Sequence, residues 1–127
     1  MHEKRDINAI SRDVIGAALD VHRALGPGLL ESAYETCLAY ELANRGLKVE
    51  RQKDIPLHYK GVEMECGFRM DLLVESRVVV ELKTVERFLP LHDAQLLSYL
   101  KLSGCQLGLL INFNVPLLRD GIKRVAN

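Results

Sequence analysis

Glu81 and Lys83 stand two residues apart in VVVELKT, residues 78–84, a run that is otherwise apolar apart from its last threonine. In an extended strand both side chains leave the same face. Asp71 stands in the preceding apolar run, RMDLLVE, residues 69–75. A three-residue hairpin loop at Glu75-Ser76-Arg77 pairs Val74 with Val78, Leu72 with Val80 and Met70 with Leu82, which makes one face wholly apolar. Asp71 then lies opposite Glu81, and Arg69 opposite Lys83, on the other face. A two-residue loop would set Asp71 against Val80 or Leu82 and spoil the apolar face, so the odd loop is preferred. Carboxylates directly opposite one another have Cβ atoms about 4.5–5.5 Å apart, where they repel unless a proton or a cation intervenes. Lys83 supplies part of the positive charge, and a divalent cation held by hard oxygen ligands can supply the rest. Glu81 and Lys83 alone would be an ordinary ion pair on a solvated face; Asp71 across from them changes that reading.

The elements that must position these residues form one α/β unit. Ile7, Ile10, Val14, Ala17, Val21 and Leu25 recur at helical spacing from Asp6 to Leu25, and Gly26-Pro27-Gly28 ends the pattern. A second helix is expected from about Leu29 to Arg45, with Leu30, Ala33, Cys37 and Tyr40 on one strip and Gly46 as its cap. Alternation then marks a hairpin around Lys60-Gly61, pairing 59 with 62, 57 with 64 and 55 with 66, its six apolar side chains on one face. Pro56 makes it an outer strand. Pro90 opens a third helix reaching about Leu102, in which Leu96, Leu97 and Leu100 are the buried side and Gln95 and Tyr99 are neighbours along the edge. Leu107–Phe113 reads as a central strand and Val115–Val125 as a final edge segment interrupted at Asp120-Gly121.

The chain has 127 residues, 48% hydrophobic and 27% charged, which fits a single globular domain over residues 1–127. Seventeen basic and seventeen acidic residues give a formal net charge of zero, so a phosphate partner must be held locally. Cys37, Cys66 and Cys105 show no metal or disulfide spacing, the N-terminus has no signal-peptide pattern, and no run is long enough for a membrane span. A cytoplasmic location is expected. His2, His22, His58 and His92 have no metal-ligand spacing either. The basic residues Arg45, Lys48, Arg51 and Lys53 fit a phosphate-binding edge or a charged edge strand that resists aggregation.

GLLESAY, residues 28–34, together with RMDLLVE, VVVELKT, AQLLSYL and NFNVPLLRDGIKRV, resembles the GxxExxY proteins. These form a small bacterial group in the PD-(D/E)XK nuclease superfamily, and the resemblance covers nearly the whole chain. It implies a restriction-endonuclease-like α-β-β-β-α-β core, a mixed sheet flanked by helices. It also implies that Asp71, Glu81 and Lys83 are the motif residues, that Glu31 is the helix acid, and that Gln95 and Tyr99 match Q-x-x-x-Y. Met70 stands where the motif name has proline, which is frequently missing in the superfamily.

The function so implied is metal-dependent hydrolysis of nucleic-acid phosphodiesters, with DNA favoured over RNA. Mg²⁺ or Mn²⁺ would be held by Asp71, Glu81 and, directly or through water, Glu31. Lys83 would hold the attacking water or the phosphate, mainly as a fixed charge; Gln95 would orient either one. Tyr99 would contact the nucleic-acid backbone or buttress its helix, and Arg69 would touch phosphate, with surface ion pairing equally open to it. Tyr34 can fix Glu31 by hydrogen bonding or simply pack. The rival reading is a catalytically silent nuclease-fold module that binds nucleic acid or a protein partner. A homodimer is left open by the sequence.

Overall fold

A computed structural model describes residues 5–65 and 67–127. In chain order it contains helix α1 (Ile7–Leu25), helix α2 (Glu31–Asn44), strands β1 (Val49–Asp54), β2 (Leu57–Tyr59), β3 (Val62–Met64), β4 (Arg69–Val74) and β5 (Val78–Lys83), helix α3 (Pro90–Ser103), strand β6 (Leu107–Asn112), a short 3-10 turn and strand β7 (Ile122–Ala126). The main sheet has the order β1-β4-β5-β6-β7, with β5 and β6 parallel and the other neighbours antiparallel. Helix α2, strands β1, β4 and β5, helix α3 and strand β6 supply the expected helix, three strands, helix and strand.

Two apolar layers hold the sheet between the helices. Leu72, Val74, Val78, Val80 and Leu82 pack with residues of α1 and α2, whereas Leu73, Val79 and Leu110 pack with Leu96 and Leu100 of α3. Gly108 lets α3 close onto β6, since a Cβ there would stand 2.8 Å from the Leu96 side chain. The Asp6 carboxylate caps α1 by accepting the Asn8 N–H at 2.8 Å. The His92 ring caps α3 by accepting the Leu89 N–H at 3.0 Å. Leu96 and Leu100 are buried, and Leu97 is half-buried.

Four details depart from the sequence expectation. Helix α2 buries Tyr34, Glu35, Leu38 and Leu42, leaving Leu30 and Tyr40 77% and 66% exposed. Apolar residues occur around much of this helix, so spacing could not choose the face that the sheet covers. Second, β1 carries only one apolar residue, Val49, and of the two readings of its basic residues the charged edge strand is the one found. Its Arg51 pairs with Glu35 and its Lys53 with Glu50, so the segment is a charged edge strand with its cations largely answered by acids.

Third, β2 and β3 form their own two-stranded sheet in the expected register, Leu57 with Met64 and Tyr59 with Val62. Lys60 and Gly61 both have positive φ, 51° and 79°, as a two-residue primed turn requires. Tyr59, Val62 and Met64 are exposed, so that face does not seal the core. Ile55 belongs elsewhere: its N–H donates to the Phe68 carbonyl at 2.9 Å, extending the β1–β4 edge. The Cys66 side of the expected 55–66 pair lies outside the described residues.

Fourth, Met70 packs on the α3 face with Leu73, opposite to Leu72 and Val74. Strict alternation therefore fails between residues 70 and 72. Among the described residues, no helix is long and apolar enough to cross a membrane.

Candidate functional site

The β4–β5 hairpin has the odd three-residue loop, with Val74 paired to Val78, Leu73 to Val79 and Leu72 to Val80. Ladder pairing stops there, and it joins neither Met70 to Leu82, nor Asp71 to Glu81, nor Arg69 to Lys83. The two acids replace it. The Asp71 N–H donates to Glu81 Oε2 at 3.0 Å, and the Leu82 N–H donates to Asp71 Oδ2 at 2.8 Å. Each carboxylate thus satisfies a backbone donor of the other strand, which brings the two acids together without orphaning buried N–H groups.

Glu81 is only 6% exposed. Burial first, and then the neighbouring Asp71 carboxylate, push its pKa up to about 9 from the usual carboxylate range. The Lys83 ammonium acts in the other direction and is the weakest of the causes. The Tyr99 hydroxyl is also raised, by burial and then by the charges of Glu81 and Asp71, which sets it within electrostatic reach of both acids.

Asp71 is half-buried and opens into a cleft of about 530 Å³ between the sheet and α2, lined also by Glu31, Ser32, Glu35, Gln52 and Leu82. Glu31 begins α2, and its Oε1 accepts the N–H of Thr84, the residue after Lys83, at 3.3 Å. Tyr34 does not bond to Glu31 through its hydroxyl. Its hydroxyl donates to the Gly26 carbonyl at 2.5 Å and accepts the Leu29 N–H at 3.1 Å, and its ring stacks on Phe113 at 4.4 Å between centroids. It anchors the turn that delivers Glu31 to the cleft.

Glu31, Asp71, Glu81 and Lys83 therefore converge at one end of β4 and β5. Gln95 and Tyr99 line a separate hollow of about 240 Å³ with Phe68 and Leu102, on the α3 side. Gln95 is exposed there. Arg69 is farther away in function: its guanidinium pairs with Asp54 at 3.1 Å on the surface. Its surface-pairing alternative describes its position.

Sequence reasoning missed three supporting residues. Glu35 is buried, its Oε2 receiving Arg51 Nε at 3.1 Å and Nη2 at 3.0 Å. Gln52 donates to Glu35 Oε1 at 2.5 Å and reaches Asp71 Oδ1 at 3.5 Å. The buried Asn112 donates to the Val85 carbonyl at 2.8 Å and accepts the Val85 N–H at 3.1 Å, pinning the chain just beyond Lys83. The available signals were an acid one helical turn after Glu31 and an asparagine ending an apolar strand, both too common to single out.

Among the described residues, no group of three His, Cys, Asp or Glu side chains is placed to hold a metal ion. Glu31 accordingly stands on the rim of the cleft rather than completing a three-carboxylate cage with Asp71 and Glu81. The donor chemistry still fits Mg²⁺, which binds through one or two carboxylates, keeps several waters and takes further oxygens from substrate phosphate.

The family model described as the PD-(D/E)XK nuclease superfamily matches residues 8–125. No curated protein and no solved structure matched the chain.

Proposed function

Because the chain belongs to the PD-(D/E)XK nuclease superfamily, whose members typically use a divalent metal, we propose that it is a Mg²⁺- or Mn²⁺-dependent nuclease hydrolysing nucleic-acid phosphodiesters. DNA is favoured over RNA as the substrate. The single observation that carries this reading is the reciprocal contact of Asp71 and Glu81 with each other's strands beside Lys83. A structural ion pair has no need of two carboxylates brought this close together. The spacing of Gly28, Glu31 and Tyr34 supports placement in the GxxExxY group.

In this reading Asp71 and Glu81 hold the metal and Glu31 acts through water from the rim. When bound, the cation supplies charge to activate water and to stabilise the phosphoryl transition state. Lys83 adds a fixed positive charge for the phosphate. Tyr99 contacts the substrate backbone from the α3 side, where Gln95 borders the approach.

Thermal melting with and without Mg²⁺ or Mn²⁺, followed by cleavage assays on DNA and RNA, tests the proposal. Metal should raise the melting temperature of the wild type, since it binds the native state, and Asp71→Asn should remove that response. Lys83→Ala should keep the response and lose cleavage. Metal stabilisation with no cleavage of any substrate, and no effect of Lys83→Ala, would instead establish the silent binding module.

A further inference from the structure

Gln52 lies in the middle of β1 with φ 48°, in the left-handed region that side chains other than Gly, Asn and Asp seldom adopt. The β1–β4 ladder pairs Arg51 with Leu72 and Lys53 with Met70, but not Gln52 with Asp71. The reversal of facing between Met70 and Leu72 is centred on that same gap. The distortion therefore surrounds Asp71 rather than lying at random along the edge.

The side chain of Gln52 uses this geometry. Its amide is tied to Glu35 Oε1 at 2.5 Å, and Glu35 is itself fixed by a two-nitrogen contact from Arg51. From that anchor the amide extends to Asp71 Oδ1 at 3.5 Å. The Leu82 N–H holds the other oxygen, Oδ2, at 2.8 Å. Glycine or asparagine would suit the backbone better, but glycine has no amide and asparagine is one methylene shorter.

We infer that Gln52 is a positioning residue: its left-handed backbone opens the ladder at Asp71, and its Glu35-anchored amide holds the Asp71 carboxylate toward the cleft. The catalytic consequence rests on the nuclease reading above, whereas the positioning itself does not. Outer-shell partners that orient a metal-binding carboxylate typically change metal affinity by about 10–100-fold when removed.

The test compares Gln52→Gly, which frees the backbone and deletes the amide, with Gln52→Met, which keeps the length and deletes only the amide. In metal-free protein, hydrogen exchange at the Leu82 amide should quicken by about tenfold in both variants, as a local opening. Gln52→Gly should nevertheless melt no lower than the wild type. The Mg²⁺ midpoint, read by thermal titration, should rise about tenfold in both variants, with kcat lowered and KM for nucleic acid little changed. Faster Leu82 exchange in a protein that neither binds metal nor cleaves would keep the positioning role and defeat the nuclease reading. Wild-type Leu82 exchange in both variants overturns the inference. So does a fall in melting temperature in Gln52→Gly large enough to account for the faster exchange.

Discussion

The two ends of the β4–β5 hairpin belong to one pair of strands and are held together by different chemistry. Toward the turn, from Val74 and Val78 to Leu72 and Val80, residues pair by backbone register and all are buried. At the open end the N–H groups of Asp71 and Leu82 donate instead to the Glu81 and Asp71 carboxylates. The first end is stabilised by apolar area removed from water. The second satisfies the same backbone need with side-chain carboxyl oxygens, which places two acidic groups where a sheet would otherwise have none.

The contrast is sharpest in paired substitutions at the two ends. Glu81→Gln retains an oxygen for the Asp71 N–H, so the fold should persist while cleavage falls by about 10³-fold. Leu72→Ala should cost about 3 kcal/mol of stability through the cavity it leaves, while the metal response survives. Denaturant unfolding beside steady-state cleavage checks both. Equal loss of stability in the two variants would break the comparison.

The dependence on pH should be smaller and confined to the acid end. Glu81 has a folded-state pKa of about 9, above the 4.5 of an ordinary glutamate. A raised folded-state value means that the native state holds the proton more tightly than the unfolded chain. The associated stability is present below about pH 4.5 and is lost as pH rises toward about 9. The slope in metal-free protein should be at most about 1.4 kcal/mol per pH unit. Unfolding titrations across this window should show it flattened in Glu81→Gln and by saturating Mg²⁺. A slope unchanged by both would locate the pH dependence elsewhere.

The smallest expected effect is at the approach to the open end. Tyr34→Phe removes the hydroxyl that joins Gly26 to Leu29 but keeps the ring on Phe113. It should cost about 1 kcal/mol and loosen Glu31 more than it disturbs the core. A larger loss in calorimetry, with hydrogen exchange at Thr84 unchanged, would make the hydroxyl a general brace instead of a local one.

The hairpin's register was legible because its valines and leucines tolerate burial in only one phase near the turn. The same rule misplaced Met70, since Gln52 breaks the pleat on the neighbouring strand and alternation within β4 carries no record of it. Strand β1 was hard to read for a related reason: VERQKD is an edge strand whose charges are answered by Glu35 and Glu50. Gln95 and Tyr99 were rightly read as neighbours on α3, yet they line a hollow apart from the acid cleft.

By itself, the sequence determined the order of the helices and of the strands after β1, the three-residue loop, and the meeting of Asp71 with Glu81 near Lys83. These follow from local periodicity and from the requirement that an apolar face remain apolar. Only the tertiary structure decided which side of α2 is buried, that Glu35 and Gln52 stand behind Asp71, and that Arg69 turns away to Asp54. Those outcomes depend on which polar groups meet across long separations in the chain, and each hydrogen bond there is made by a partner that no local pattern names.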